Sequence, residues 1–175
     1  MIKPAFLSAA LASAALLVCA ASALADYVSP PAETSVAIAG KRLAIKYCAP
    51  SMHGRKIFGG LEPYNKVWRA GANDATAFHT DADLDIRGFL VPKGNYTLFV
   101  WLDRTQWQLI ISKATGEWGL NYPPDKDLGR VKMDMSKPAS PIDKYKMTLS
   151  SASANQGKLQ LEWETTIASV PFTVK

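Results

Sequence analysis

Short runs of alternating apolar and polar residues recur along most of this chain, and turn-forming residues such as glycine, proline and asparagine separate them. In the run from Arg42 to Tyr47, for example, Leu43, Ile45 and Tyr47 would share one face of a strand. A period of two is typical of half-buried strands, and no stretch beyond residue 25 sustains the apolar spacing of a helix. The sequence therefore predicts an all-β fold: a single antiparallel β-sandwich, jelly-roll-like or immunoglobulin-like, of about nine or ten strands.

Three segments give more specific predictions within this fold. Phe89 to Trp101 predicts a β-hairpin, because Pro92 and Gly94 favour a turn between two apolar runs. Trp107 to Ser112 is nearly continuous in apolar character, which indicates a central strand. Gly60 to Lys66 is the one candidate for a short helical turn, with an irregular loop as the alternative.

The N-terminus has the features of a secretory signal peptide. Lys3 precedes a mainly apolar run from Ala5 to Ala21, and Ala23-Leu24-Ala25 has the small-x-small pattern of a cleavage site. The alternatives are a membrane anchor, for which the run is short of the ~20 residues of a span, and a lipoprotein, for which the residue before Cys19 is poorly suited. We expect an exported protein, periplasmic or secreted, that does not span a membrane after cleavage.

Removal of residues 1–25 from the 175-residue chain leaves 150 residues, a length typical of one domain with an adequate core. Residues 26–34 are polar and contain prolines, which indicates an N-terminal arm, and residues 35–175 form the predicted sandwich. Cys48 is then the one remaining cysteine, so an intramolecular disulfide is excluded. We expect its thiol to be buried near the end of a strand.

The charge of the chain is mildly positive. The formal net charge is +5, and loss of Lys3 with the signal peptide leaves +4. Because the basic residues are scattered rather than grouped, we do not expect nucleic acid as a partner. A solvated surface with a general attraction to anionic envelope polymers is the favoured interpretation.

The sequence lacks the motifs of the usual enzyme and metal sites. It contains no serine-hydrolase elbow, zinc-protease motif or phosphate loop, and His53 and His79 lie too far apart for a local metal pair. Asp81, Asp83 and Asp85 resemble the start of a calcium loop without its glycine and terminal glutamate, so we favour a solvated surface over weak calcium binding. We predict no catalytic residues, no metal and no cofactor.

The tryptophans either fill the core or offer stacking platforms for sugar rings. Trp163 alternates with leucines and Trp107 precedes an apolar strand, so both are predicted to be core residues. Trp118 stands in a loop between Glu117 and Gly119 and is the best candidate for an exposed ring.

The least regular part of the chain runs from Gly54 to Thr76 and reads GRKIFGGLEPYNKVWRAGANDAT. Its two arginines carry a planar fork that suits a carboxylate or phosphate, and a bend at Gly71 would turn backbone N–H groups towards the same point. One interpretation is a pocket for a polar or anionic ligand; the other is a structural tie, in which the arginines bond loop carbonyls. The candidate ligand-binding residues are Arg55, Trp68, Arg69, Asn73, Asp74 and Thr76.

The blocks WRAGANDAT, from Trp68 to Thr76, and PKGNYTLF, from Pro92 to Phe99, resemble the bacterial DUF2911 domain family. Shorter matches are the run Gly54 to Gly59, Tyr47-Cys48-Ala49-Pro50, Trp107, Trp118-Gly119 and Trp163-Glu164. The chain departs from the commoner family pattern at Cys48-Ala49, where serine and arginine are more usual, and at His79, where an apolar residue is more usual.

The resemblance implies an all-β exported domain of unknown function, and it carries no catalytic assignment. It also implies which block is most characteristic of the family: Gly54, Arg55, Gly59, Trp68, Arg69, Gly71, Asn73 and Thr76.

Three hypotheses follow for the function. The first is a non-catalytic exported domain that binds a small polar ligand or an envelope partner around Arg55, Arg69 and Asn73. The second is a secreted hydrolase acting on glycan or peptide, in which Asp74 or Glu62 would work with His53. The third is a purely structural domain. The absence of a catalytic motif favours a protein that is not an enzyme.

Overall fold

In the computed structural model, which describes residues 29–116 and 118–175, the chain forms 13 β-strands and one 3₁₀ turn at Pro124–Lys126. The predicted signal peptide falls on residues 1–25, outside the described residues. The strands are β1 Pro31–Ile38, β2 Lys41–Cys48, β3 Lys66–Trp68, β4 Thr76–Thr80, β5 Leu84–Ile86, β6 Phe89–Val91, β7 Gly94–Leu102, β8 Gln108–Ser112, β9 Asp127–Lys132, β10 Asp134–Ser136, β11 Ile142–Ser151, β12 Gln156–Glu164 and β13 Thr166–Val174.

The strands form two antiparallel sheets. The first has the order β1-β2-β4-β7-β8-β9, with β3 also paired to β7; the second has the order β11-β12-β13-β5-β6, with β10 also paired to β13. The prediction of an all-β antiparallel sandwich is confirmed. The strand number exceeds the predicted nine or ten in part because β3 and β10 have three residues each, too few for an alternating pattern to stand out.

The core lies between the sheets and follows the alternation of the strands. Leu43 and Ile45 of β2 are fully buried, and their neighbours Arg42 and Lys46 face outwards. Within the core an aromatic cluster packs mainly edge to face, with ring centroids 4.6–6.4 Å apart, and the Trp68 and Trp163 rings are stacked. Its members are Phe58, Trp68, Trp107, Tyr145 and Trp163, so the core predictions for Trp107 and Trp163 are confirmed.

The predicted hairpin from Phe89 to Trp101 is wrong. β6 pairs with β5 in the second sheet, whereas β7 pairs with β4 and β8 in the first. The chain crosses between the sheets at Pro92 and Lys93, and the Lys93 N–H donates to Asp83 Oδ1 instead of joining a ladder (2.7 Å). Turn-forming residues such as Pro92 and Gly94 do not by themselves show whether the strand after the turn pairs with the strand before it.

Several smaller expectations have clear outcomes. Cys48 is buried at the end of β2, as predicted. Gly60 to Lys66 forms an irregular turn rather than a helical one. Strand β1 begins at Pro31, so residues 31–34 of the predicted arm pair with β2. Across the two described ranges, no helix is long and apolar enough to cross a membrane.

Candidate functional site

The segment between β3 and β4, residues 69–75, is a break in the strand pairing along one side of β7. Both β3 and β4 pair with that side of β7, so the chain leaves β7 after β3 and returns to it at β4. Trp68 Nε1 donates to the Gly71 carbonyl (3.1 Å) and Thr76 Oγ1 donates to the Ala70 carbonyl (2.9 Å), both in buried surroundings. These two candidate residues therefore hold the break in shape from its two ends.

Arg55 holds the preceding loop together. Its Nε donates to the Met52 carbonyl and its Nη2 to the Ser51 carbonyl, both at 2.9 Å. Further along this loop the backbone N–H groups of Ile57 and Phe58 donate to the carboxylate of Glu164, at 3.0 and 3.2 Å. The Arg55 guanidinium thus bonds loop carbonyls, the contact that the structural interpretation expects.

Arg69 and Asn73 lie beneath the loop that carries Trp118. Gly119 packs so closely on them that an added Cβ would overlap the Asn73 carbonyl oxygen and Arg69 Cδ. Arg69 Nε is buried without a hydrogen-bond partner among the described residues, and Asn73 Nδ2 donates to the Ser29 carbonyl (3.3 Å). Burial raises the pKa of Glu62, and the charge of Arg69 opposes that shift.

Asp74 is exposed, as is Arg55, whereas the other four candidates are buried or half-buried. Asp74 forms an isolated antiparallel bridge with Trp118. It also lines an open groove of about 1080 Å³ on the outer face of the first sheet. The structure therefore divides the predicted site: Asp74 faces a cavity, whereas Arg55, Trp68, Arg69, Asn73 and Thr76 do not line it.

The floor of the groove is formed by side chains on three neighbouring strands, and two of them, Ala44 and Ala77, are small. Ala44 of β2 lies beside His79 of β4, which lies beside Asn95 of β7; in the next row Ala77 lies beside Thr97. Because these residues alternate with core residues, their side chains all leave the same face of the sheet. Because the side chains of Ala44 and Ala77 are short, they leave the groove open.

Charges of both signs surround this floor. Arg42 and Lys46 come from β2, Glu33 from β1, and Asp74 from the segment before β4. Arg42 Nη2 and Glu33 Oε1 form an ion pair of 2.9 Å. Sequence reasoning missed Arg42, Lys46 and Glu33, although the outward positions of the β2 pattern held the signal for the first two.

His79 is fixed by two acceptors. Its Nδ1 lies 2.8 Å from Asn95 Oδ1, and its Nε2 lies 2.8 Å from Asp81 Oδ1. Both ring nitrogens must carry hydrogen to satisfy both acceptors, which favours the imidazolium form. The hydrogen bonds to Asn95 and then Asp81 raise the pKa of His79, so the groove gains a positive charge as the pH falls.

Thr115 and Gly116, in the connection between β8 and β9, form one wall of the groove. Thr97 Oγ1 donates to the Ala114 carbonyl (2.7 Å) and the Tyr122 ring packs on Phe99, with centroids 5.0 Å apart. Tyr122 also donates to Asp127 Oδ2 (2.6 Å), and burial together with this bond raises its pKa to about 12. The connection that carries this wall is therefore attached to the sheet at several points.

The remaining candidates for chemistry have separate structural partners. The His53 backbone N–H donates to Asp143 Oδ1 (3.3 Å), and among the described residues its ring makes no hydrogen bond to Glu62 or Asp74. Asp83 accepts from Lys93, and Asp85 accepts from Gly88 and pairs with Lys175. In the described ranges, no group of three or more histidine, cysteine or acidic side chains is placed to hold a metal ion.

Comparison with known proteins adds one match. The family model DUF2911, described as a protein of unknown function, matches residues 29–172. No curated protein and no solved structure matches the chain significantly.

Proposed function

Because the chain belongs to the DUF2911 family, whose description gives no function, we propose its role from its own geometry: it binds a small polar ligand in the outer groove. The observation that carries this proposal is the clear floor of Ala44 and Ala77 beneath a rim of charged and amide side chains. Concave sites with a few convergent polar groups are the usual ligand sites of proteins.

In this proposal the six residues predicted from the sequence have two roles. Asp74 contributes a carboxylate to the groove, and the other five are structural: Arg55 ties the preceding loop, and Trp68, Arg69, Asn73 and Thr76 position the segment that carries Asp74. Arg69 and Asn73 do so by supporting Gly119, next to the Asp74–Trp118 bridge. Binding at this site needs no reaction, which is in line with a chain that lacks a catalytic motif.

We also propose that the protein is exported, as the pattern at residues 1–25 indicates. Edman sequencing of the protein secreted or released from the periplasm should begin at Asp26. An uncleaved N-terminus, or retention in the cytoplasm, would contradict export.

The binding proposal is tested by filling the groove. Ala77→Trp places a large ring on the exposed floor without entering the core, and Ala37→Trp places the same ring on the same sheet face, on the edge strand and outside the groove. The purified protein is titrated by calorimetry with inorganic phosphate, dicarboxylates, amino acids, nucleotides and neutral oligosaccharides.

Binding that Ala77→Trp abolishes and Ala37→Trp retains is the expected result. If no compound binds, or if Ala77→Trp binds as the parent does, the groove is not a ligand site and the structural interpretation stands.

A further inference from the structure

We propose that the ligand of the groove is an oligosaccharide and that Trp118 is its stacking platform. This inference rests on the proposed function, because it identifies the ligand class of the same groove. It is carried by the position of one exposed aromatic ring beside the groove, together with the mixed polarity of the groove itself.

The exposure of Trp118 gives up the stabilisation that burial of its large aromatic ring would provide. Its exposed fraction is 54%, whereas Trp68, Trp107 and Trp163 are 2–3% exposed. Burying a large aromatic side chain is among the strongest apolar contributions to stability. A sandwich with an aromatic cluster in its core keeps this ring outside, beside the groove.

The backbone that carries Trp118 is held in a defined place. It bridges to Asp74, its carbonyl accepts from the Asn121 N–H (2.8 Å), and the adjacent Gly119 packs onto Arg69 and Asn73. Residues paired across an antiparallel bridge project to the same side. Asp74 lines the groove and Trp118 does not, so the bridge places the Trp118 ring beside the groove, on the side to which Asp74 projects.

Arg69 and Asn73 belong to the block most characteristic of the family, and both support Gly119. This support would be a function of that block. The block fixes an aromatic platform and a carboxylate side by side, and a platform held before binding loses less entropy when the ligand arrives.

The composition of the groove fits a sugar better than a polyanion. A sugar ring has an apolar face that stacks on an aromatic side chain and a rim of hydroxyl groups that both donate and accept hydrogen bonds. Around the groove Arg42 and Lys46 donate, Glu33 and Asp74 accept, and Asn95 can do both. A polyanion would favour a surface of one sign, whereas here Glu33 pairs with Arg42.

The size of the groove favours a chain of sugars over a single one. Its volume of about 1080 Å³ slightly exceeds the roughly 300–1,000 Å³ typical of sites for one small molecule. An open groove of this volume accommodates several consecutive rings of a linear oligosaccharide.

The experiment uses the purified protein on an array of neutral and amino-sugar oligosaccharides, followed by calorimetry and tryptophan fluorescence with β-1,4-linked N-acetylglucosamine tetramer and cellotetraose. Trp118→Ala removes the platform, and Trp118→Phe retains an aromatic ring. Leu120→Ala is the matched control, because this residue lies in the same loop, is 73% exposed and is not bridged to Asp74. Thermal unfolding shows that each variant is folded.

We expect an oligosaccharide to bind and to shift the emission of the parent to shorter wavelength, because stacking excludes water from Trp118. Trp118→Ala should weaken binding about tenfold or more, and Trp118→Phe and Leu120→Ala should stay within about threefold of the parent.

The inference is overturned if every oligosaccharide fails while another compound binds in a manner that Ala77→Trp blocks; the proposed function then survives. It is also overturned if Trp118→Ala binds as the parent does. Vesicles of anionic lipid that bind through Trp118 and Leu120 together would instead assign the loop to a membrane surface. If nothing binds in the groove, both proposals fail.

Discussion

Gly119 lies directly against the side chain of Arg69, in a space that has no room for a Cβ atom. This contact joins two parts of the molecule that the sequence separates, the break between β3 and β4 and the connection between β8 and β9, which carries the wall residues Thr115 and Gly116. Arg69 is half-buried, with its Nε shielded from solvent. The contact therefore makes the outer wall of the groove depend on the shape of the break.

Gly119→Ala should displace this wall. The new Cβ would meet the backbone carbonyl of Asn73, which cannot move aside as a flexible side chain can. Overpacking of this kind costs about 1–3 kcal/mol, and we expect that loss in urea unfolding together with faster proteolysis of residues 113–126. Gly116→Ala is the control: its φ of +73° makes alanine strained but no neighbour lies within 4 Å, so the cost is about 1 kcal/mol. Equal proteolysis of the two variants would contradict the role of the contact.

Glu164→Ala should loosen the loop that precedes β3. The substitution removes the carboxylate that accepts from the Ile57 and Phe58 N–H groups. Because Ile57 and Phe58 are buried, the unpaired donors should lower the free energy of unfolding by about 1–3 kcal/mol. Glu162→Ala on the same side of β12 should change it by about 0.5 kcal/mol or less, as measured by urea denaturation. Similar losses in both variants would argue against the tie.

Arg55→Ala and Lys46→Ala should separate stability from binding. Arg55 bonds two loop carbonyls, so its loss should lower the free energy of unfolding by about 1 kcal/mol, with the affinity for the N-acetylglucosamine tetramer unchanged. Lys46 is exposed and lines the groove, so its loss should leave stability within about 0.5 kcal/mol of the parent and weaken binding. Calorimetry and urea denaturation of both variants test this. Loss of affinity in Arg55→Ala at unchanged stability would return Arg55 to the binding site.

His79 should titrate above its usual value of 6.5, because Asn95 and Asp81 both accept from the charged ring. A pKa that is higher in the folded than in the unfolded state favours folding fully below pH 6.5, and this contribution is lost as the pH rises through the folded value. The effect on stability is small, since the side chain is 39% exposed.

An NMR titration of the His79 ring measures the shift directly. Asn95→Ala removes the largest cause and should move the pKa of His79 downwards. A His79 pKa at or below 6.5 in the parent would show that the two hydrogen bonds do not persist in solution.

The strands and their faces were predictable from local sequence. Leu43, Ile45 and Tyr47 alternate with polar residues, and each lies in the core as the alternation requires. The partner of a strand is a different matter, because it depends on residues far away in the chain. Phe89 to Val91 and the run after Gly94 both have the pattern of strands, and a turn separates them as in a hairpin. The two runs nevertheless belong to different sheets.

The candidate site was predictable only in part for the same reason. The irregular composition around Arg69 and Asn73 marked a place where the chain leaves regular structure, and Asp74 does line a cavity. The groove itself is made by rows across three strands, such as Ala44, His79 and Asn95. Without the order β2-β4-β7 these residues are three unrelated positions in the sequence.

The pairing of β13 with β5 determines when folding can finish. Thr173 and Val174 pair with Asp85 and Leu84, and the Lys175 N–H donates to the Asp83 carbonyl. β5 and β6 therefore join their sheet through the last strand of the sandwich, and until β13 is available the edge of β5 is unpaired. A chain that is still being synthesised has this edge open to other chains, so β13 also protects the domain from aggregation.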